Sequence, residues 1–169
     1  MSAENTIISE VYTVGPDWKV GDAIDLLDKK GVRAVPVVDN QNKLLGMLST
    51  HQLIKNLLPV SATMEDGLQR LSFVIGAAPG VAKRLRSTSE KKVSEVMAKD
   101  IVVVHPETPT WESLRLLTLY GSPLPVVTSH KGTLVGIISE QSALEELRRL
   151  GEEMESDDSE DNDEFSKDN

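Results

Sequence analysis

One pattern occurs twice in this chain, with its copies about 90 residues apart. Val11-Tyr12-Thr13-Val14-Gly15-Pro16, a helical stretch, Val35-Pro36-Val37-Val38 and Leu44-Leu45-Gly46-Met47-Leu48-Ser49 recur in the same order. Their counterparts are Ile101-Val102-Val103-Val104-His105-Pro106, a second helical stretch, Leu124-Pro125-Val126-Val127 and Leu134-Val135-Gly136-Ile137-Ile138-Ser139. A duplicated unit buries its apolar face against its copy and places sites at the seam, so the function is sought between the repeats.

Each copy reads as β-α-β-β-α. In the first, Val11 to Val14 is β-prone and ends at Gly15-Pro16, with Asp17 expected to cap the following helix. Val20, Ala23, Ile24 and Leu27 then recur at helical spacing until Gly31. Ala34 to Val38 and Leu44 to Leu48 form a hairpin around Asp39-Asn40-Gln41-Asn42. Ser49 or Thr50 caps a helix carrying Leu53, Ile54, Leu57 and Leu58, stopped by Pro59. The second copy has a strand over Ile101 to Val104, a helix from about Pro109 with Trp111, Leu114, Leu117 and Leu119, and a hairpin turning at Thr128 to Gly132. Its last helix opens at Ser139, with Ala143, Leu144, Leu147 and Leu150 on one face. Between the copies, Met64, Leu68, Leu71 and Val74 or Ile75 predict an amphipathic helix. Ala77-Ala78-Pro79-Gly80 breaks it, and Val81 to Arg86 is a short basic helix or coil.

The formal charge of -9 is unevenly placed. Residues 152–169 hold ten acids and one lysine, which leaves 17 acids and 17 bases in residues 1–151. So acidic and apolar-poor a segment cannot offset its ordering entropy and is expected to be disordered: a solubilising tail, a docking segment for a basic partner, or a weak cation sponge. The basic run Lys83, Arg84, Arg86, Lys91 and Lys92 is either a solvated linker or a surface that meets this tail. The charge distribution favours no nucleic-acid partner. No apolar run is long enough to span a bilayer, and Met1 to Asn5 lacks the features of a signal peptide. With no cysteine, the chain is compatible with a reducing cytosol, and a cytoplasmic location is expected.

Gly31 to Asp39 with Lys43 to Ser49, and Ser122 to Val127 with Thr133 to Ser139, resemble the paired motifs of tandem cystathionine-β-synthase (CBS) domains, which associate into a Bateman module. Lys92-Val93-Ser94-Glu95-Val96-Met97 resembles the family's approach segment to the second copy. The resemblance implies a fold of the α/β (α+β) class: two CBS repeats packed with pseudo-twofold symmetry, a helical linker and a disordered acidic tail. The expected divisions are 7–59 and 93–150 for the repeats, 60–92 for the linker and 151–169 for the tail. Two repeats sharing a core also answer the small burial available to either alone.

The resemblance further implies a cleft at the junction for adenosine-type ligands: AMP, ADP, ATP or S-adenosylmethionine. Its hydroxyl positions fall on Ser49 and Ser139, beside helix N-termini suited to phosphate. The family's ribose-binding Asp is replaced by Gln52 and Ser142, which lack its two-acceptor grip. Arg33 falls where nucleotide-sensing relatives, such as the γ subunit of AMP-activated kinase, place phosphate-facing cations, and its forked donors suit phosphate oxygens. Ser122 is its counterpart in the second copy, so the site containing Arg33 is the stronger expectation. Val11, Val14, Val32, Ala34, Val35 and Pro36, with Ile101, Val102, Leu124 and Pro125, bracket the cleft, and His51 follows Ser49 closely enough to approach a phosphate.

No catalytic constellation is visible: no cysteine nucleophile, nucleophile elbow, phosphate loop or dinucleotide fingerprint. His51, His105 and His130 lie on different elements without metal-ligand spacing. The function that the resemblance implies is a non-enzymatic regulatory module that requires no cofactor, forms a homodimer, binds an adenine nucleotide or S-adenosylmethionine and modulates an unidentified protein partner. The alternative is a ligand-free dimeric scaffold with degenerate clefts.

Overall fold

The computed structural model describes residues 3–58 and 78–164. Its residues cluster into two compact units, one of Val11–Ile101 with Lys131–Leu134, the other of Met1–Glu10, Val102–His130 and Val135–Asn169. The first carries most of the first repeat and the second most of the second.

In the first-repeat unit, α1 (Val20–Lys30) buries Val20, Ala23 and Leu27 on one face, and Lys29 and Lys30 in its last turn complement the helix dipole. Gly31, at φ 65°, ends it by returning its N–H to the Asp28 and Leu27 carbonyls. Lys19 rather than Asp17 stands at the N-cap. Asp17 is drawn instead to the Lys92 ammonium at 2.7 Å, while the Val20 N–H is satisfied by the Lys91 carbonyl at 2.9 Å. β1 (Ala34–Val38) and β2 (Leu44–Ser49) pair antiparallel, with Ala34 opposite Ser49 and a bulge at Val37/Val38. Asp39 builds their turn, its Oδ1 accepting the Gln41 and Lys43 N–H groups at 2.9 Å each. α2 (Thr50–Leu57) follows directly.

The strand expected over Val11 to Val14 is reduced to one parallel bridge, Val14 to Val37. Val14 donates to the Pro36 carbonyl at 3.1 Å and accepts from Val38 at 3.0 Å, and Pro16 two residues on has no N–H with which to extend the ladder. The core gathers Val14, Val20, Ala23, Leu27, Val35, Val37, Leu48, Leu53 and Val93.

α3 (Ala78–Ser89) carries Pro79 and Gly80 within its first turn, although the sequence reading places a break there. Proline at a helix start removes only an N–H that the helix would leave unpaired. The amphipathic helix expected over Met64 to Ile75 lies outside the described residues. After α3, the one-turn α4 (Val93–Val96) leads into a bridge between Ala98 and Met47, closed by bonds of 3.0 and 2.8 Å.

The second-repeat unit repeats this plan. A 3-10 turn (Ala3–Thr6) leads into a bridge between Ile8 and Ile137, with bonds of 2.8 and 3.0 Å, matching that of Ala98 with Met47. Both approach segments cross a strand glycine at close range. A Cβ on Gly46 would lie 2.5 Å from the Ala98 carbonyl oxygen, and one on Gly136 would overlap the Ile8 carbonyl. α5 (Thr110–Tyr120), β3 (Leu124–Val127), β4 (Leu134–Ile138) and α6 (Glu140–Glu164) complete the unit. The strand expected over Ile101 to Val104 is likewise a single bridge, Val104 to Val126.

The helical faces differ from the sequence reading. α5 buries Thr110, Ser113 and Leu117, leaving Trp111 66% and Leu119 59% exposed. α6 buries Ala143 and Glu146, leaving Leu144 62% and Leu147 42% exposed. Glu146 can be buried because it is paired: Asn5 Nδ2 donates to it at 3.2 Å and Arg149 holds both its oxygens, at 2.7 and 2.8 Å. α6 also continues past Gly151 to Glu164, through residues the sequence reading takes as an unstructured tail. The Arg149 pairs with Glu146 and Glu153, one turn apart on either side, carry the helix across Gly151.

Candidate functional site

Every candidate from Val11 to Gln52, together with Ile101, falls in the first-repeat unit, and Val102, Ser122, Leu124, Pro125, Ser139 and Ser142 fall in the other. Each half is built on the same junction, where a hairpin's second strand passes into a helix.

In the first repeat the β1–β2 register sets Ala34 against Ser49, which brings Arg33 and Thr50 together. The Arg33 carbonyl accepts the Thr50 N–H at 2.9 Å and its Oγ1–H at 3.4 Å. Ser49, with extended backbone, caps α2 by accepting the Gln52 N–H at 3.1 Å. Main-chain atoms thus lock Arg33 in place while its guanidinium stays exposed, in no ion pair among the described residues. His51 is exposed in the first turn of α2, and Gln52 is half-buried with its amide nitrogen donating to Asn56 Oδ1 at 3.1 Å. Val14, Val35 and Pro36 are buried, whereas Val11, Val32, Ala34 and Ile101 are half-buried.

The second repeat uses its polar groups differently. Ser139 Oγ accepts the Ser142 N–H at 3.1 Å, and Ser142 Oγ accepts the Ser139 N–H at 3.0 Å, a reciprocal capping pair. Ser142 also donates to the Ser139 carbonyl at 3.1 Å. Ser122, which precedes a cis bond to Pro123, spends its hydroxyl on the Glu140 N–H at 3.3 Å. That bond does for α6 what the Arg33 carbonyl does for α2. Leu124 and Pro125 are buried and Val102 is half-buried.

The two halves are therefore chemically unequal. The first presents an uncommitted guanidinium, an imidazole and a primary amide at a capped helix start. In the second, each of the three candidate hydroxyls accepts a main-chain N–H. Two further residues shape the first half: Thr50, which sequence reading offered only as an alternative cap of α2, and Asn56, which it did not single out. A hydroxyl next to a capping serine was a visible signal for Thr50, whereas Asn56 shows itself only as the i+4 partner of Gln52. Among the described residues, no group of three His, Asp or Glu side chains is arranged to hold a metal ion, and no helix is long and apolar enough to cross a membrane.

A model of the CBS domain matches residues 5–59 and 93–149. The chain is 28% identical over 137 residues to inosine-5'-monophosphate dehydrogenase of Methanocaldococcus jannaschii, a match covering 81% of this chain and 22% of that protein. It is 28% identical over 150 residues to the chloroplastic CBS domain-containing protein CBSX1 of Arabidopsis thaliana, covering 85% of this chain and 63% of the relative. The chain thus spans less than two thirds of the length of these curated relatives. Among solved structures, the CBS-pair protein CBSX2 of Arabidopsis thaliana superposes with a TM-score of 0.68 at 24% identity, covering 89% of this chain and 96% of that one. CBSX2 in complex with AMP superposes with a TM-score of 0.64, covering 89% and 98%. At these identities the structural likeness establishes the fold. A hairpin feeding a serine-capped helix, built twice and matched twice by one family model over more than half of the sequence, makes this chain a member of the CBS domain family.

Proposed function

We propose that this chain is a regulatory, ligand-sensing CBS pair whose first repeat takes the phosphate of an adenosine-type nucleotide, and whose occupancy modulates a protein partner. The observation that carries this reading is Arg33: its carbonyl is fixed by Thr50 while its guanidinium has no charged partner among the described residues. A fork of donors beside a helix start suits a phosphate. The AMP complex of CBSX2 and the likeness to protein MJ1225 of Methanocaldococcus jannaschii, described as a putative archaeal homolog of g-AMPK, support the ligand class. The ligand must bind one arrangement of the module better than another for a partner to sense it. The exposed apolar side chains of α5 and α6, Trp111 and Leu144 foremost, are assigned to homodimerisation.

A second reading, a ligand-free scaffold, draws on Gln52 and Ser142. Neither supplies the carboxylate that grips ribose hydroxyls, and Ser142 is fully engaged in capping α6. Isothermal titration with AMP, ADP, ATP and S-adenosylmethionine separates the two. Saturable heat that weakens by about tenfold or more in Arg33→Ala, and persists in Ser122→Ala, supports the sensing module. No heat with any of the four establishes the scaffold.

A further inference from the structure

α2 and α3 pack together, with Arg84 donating to the Leu57 carbonyl at 3.2 Å and so finishing α2. Neither helix contains an acidic residue, and Lys55, Lys83, Arg84 and Arg86 are all exposed. Interleaved with them are Ile54, 58% exposed, and Leu85, 40% exposed. A cationic, part-apolar surface is thus concentrated on two helices of a chain whose net charge is -9.

The chain also carries the complementary chemistry. Glu152 to Glu164 holds nine acids, all on the C-terminal half of α6. Acidic residues in the C-terminal half of a helix oppose its dipole, so such a helix gains from an external cationic surface. Arg149 is already committed to Glu146 and Glu153. Met154, 69% exposed, gives the acidic stretch an apolar contact of its own. All five residues from Gly151 to Glu155 are exposed, so the start of the acidic stretch is open to a partner.

We infer that the α2–α3 face docks the acidic end of α6 from a second copy of the chain. Anionic membranes and nucleic acids fit less well, because the acidic segment and the net charge repel them. The contact is a desolvated seam of Ile54, Leu85 and Met154 surrounded by charge pairs, and it loosens as salt rises.

The test adds a labelled synthetic peptide of residues 152–169 to the full-length chain, with carbodiimide to join carboxylates to neighbouring lysines, and maps the products by mass spectrometry. Links are expected at Lys55 and Lys83, well above those at the exposed Lys29 and Lys43. They should fall about fivefold or more between about 50 and about 500 mM NaCl, and by a similar factor in Arg86→Glu at low salt. Links spread evenly over all exposed lysines overturn the proposal, as does a yield at Lys83 that ignores both salt and Arg86→Glu.

Discussion

At the scale of single residues, Gly136 and Gly151 look alike in the sequence and are opposites in the structure. A Cβ on Gly136 would overlap the Ile8 carbonyl and sit 2.6 Å from Ile7 Cγ2, against an approach segment held by two bonds to Ile137. Gly136→Ala should therefore cost about 1–3 kcal/mol, as overpacking does. Gly151 is exposed in α6 with nothing within 4 Å of an added Cβ, so Gly151→Ala should gain about 0.5–1 kcal/mol from reduced chain entropy. Denaturant melts of the two variants check both signs, and a neutral Gly136→Ala would mean that the Ile7–Ile8 segment yields. Arg33 and Ser122 teach the same lesson, since both occupy one repeat position, yet in one the backbone does the capping and in the other the side chain does.

At the scale of elements, the N-terminal turn is tied to α6 by a carboxylate. The hydrogen bonds from Arg149 hold the Glu146 carboxyl below its ordinary value, Asn5 adds to this, and burial opposes it. A depressed acid stabilises the fold fully above its unfolded value, near about 4.3, and loses that contribution as pH falls through its lower folded value. Glu146→Gln should therefore melt below the wild type at neutral pH, with the gap closing as pH drops below about 4. Thermal melts of both proteins across that range test it, and a gap independent of pH would assign the loss to packing rather than charge. On α2, the Ser49 cap predicts a loss of about 1 kcal/mol for Ser49→Ala, measurable by the same melts.

At the scale of the whole molecule, neither compact unit is a continuous stretch of chain. Met1–Glu10 belongs with the second repeat, while Lys131–Leu134, from the second hairpin, belongs with the first. There the Asn42 carbonyl and side-chain Nδ2 bond the Leu134 N–H and carbonyl at 2.9 and 3.0 Å. The N-terminal turn contributes Ala3 to the second core and bonds the Thr108 carbonyl at 2.8 Å. Removing residues 1–10 should therefore raise hydrogen exchange chiefly in β3, β4 and the start of α6, and far less in β1 and β2. Equal loosening of both repeats would contradict this assignment.

The sequence by itself determined the duplication, both hairpins, the serine opening of α6 and the glycine stop of α1, and it narrowed the cap of α2 to Ser49 or Thr50. These are local: period, turn chemistry and capping act within a few residues, so the pattern carries them. The helix faces of α5 and α6 needed the tertiary structure. Thr110, Ser113 and Glu146 are buried through neighbours distant in sequence, and Trp111 and Leu144 are displaced outward although periodicity alone ranks them as core. The inequality of the candidate half-sites was half legible. Arg33 and Gln52 can be read as letters, but that Ser122, Ser139 and Ser142 are spent on backbone depends on which donors the fold brings within 3.5 Å, and sequence spacing does not encode that.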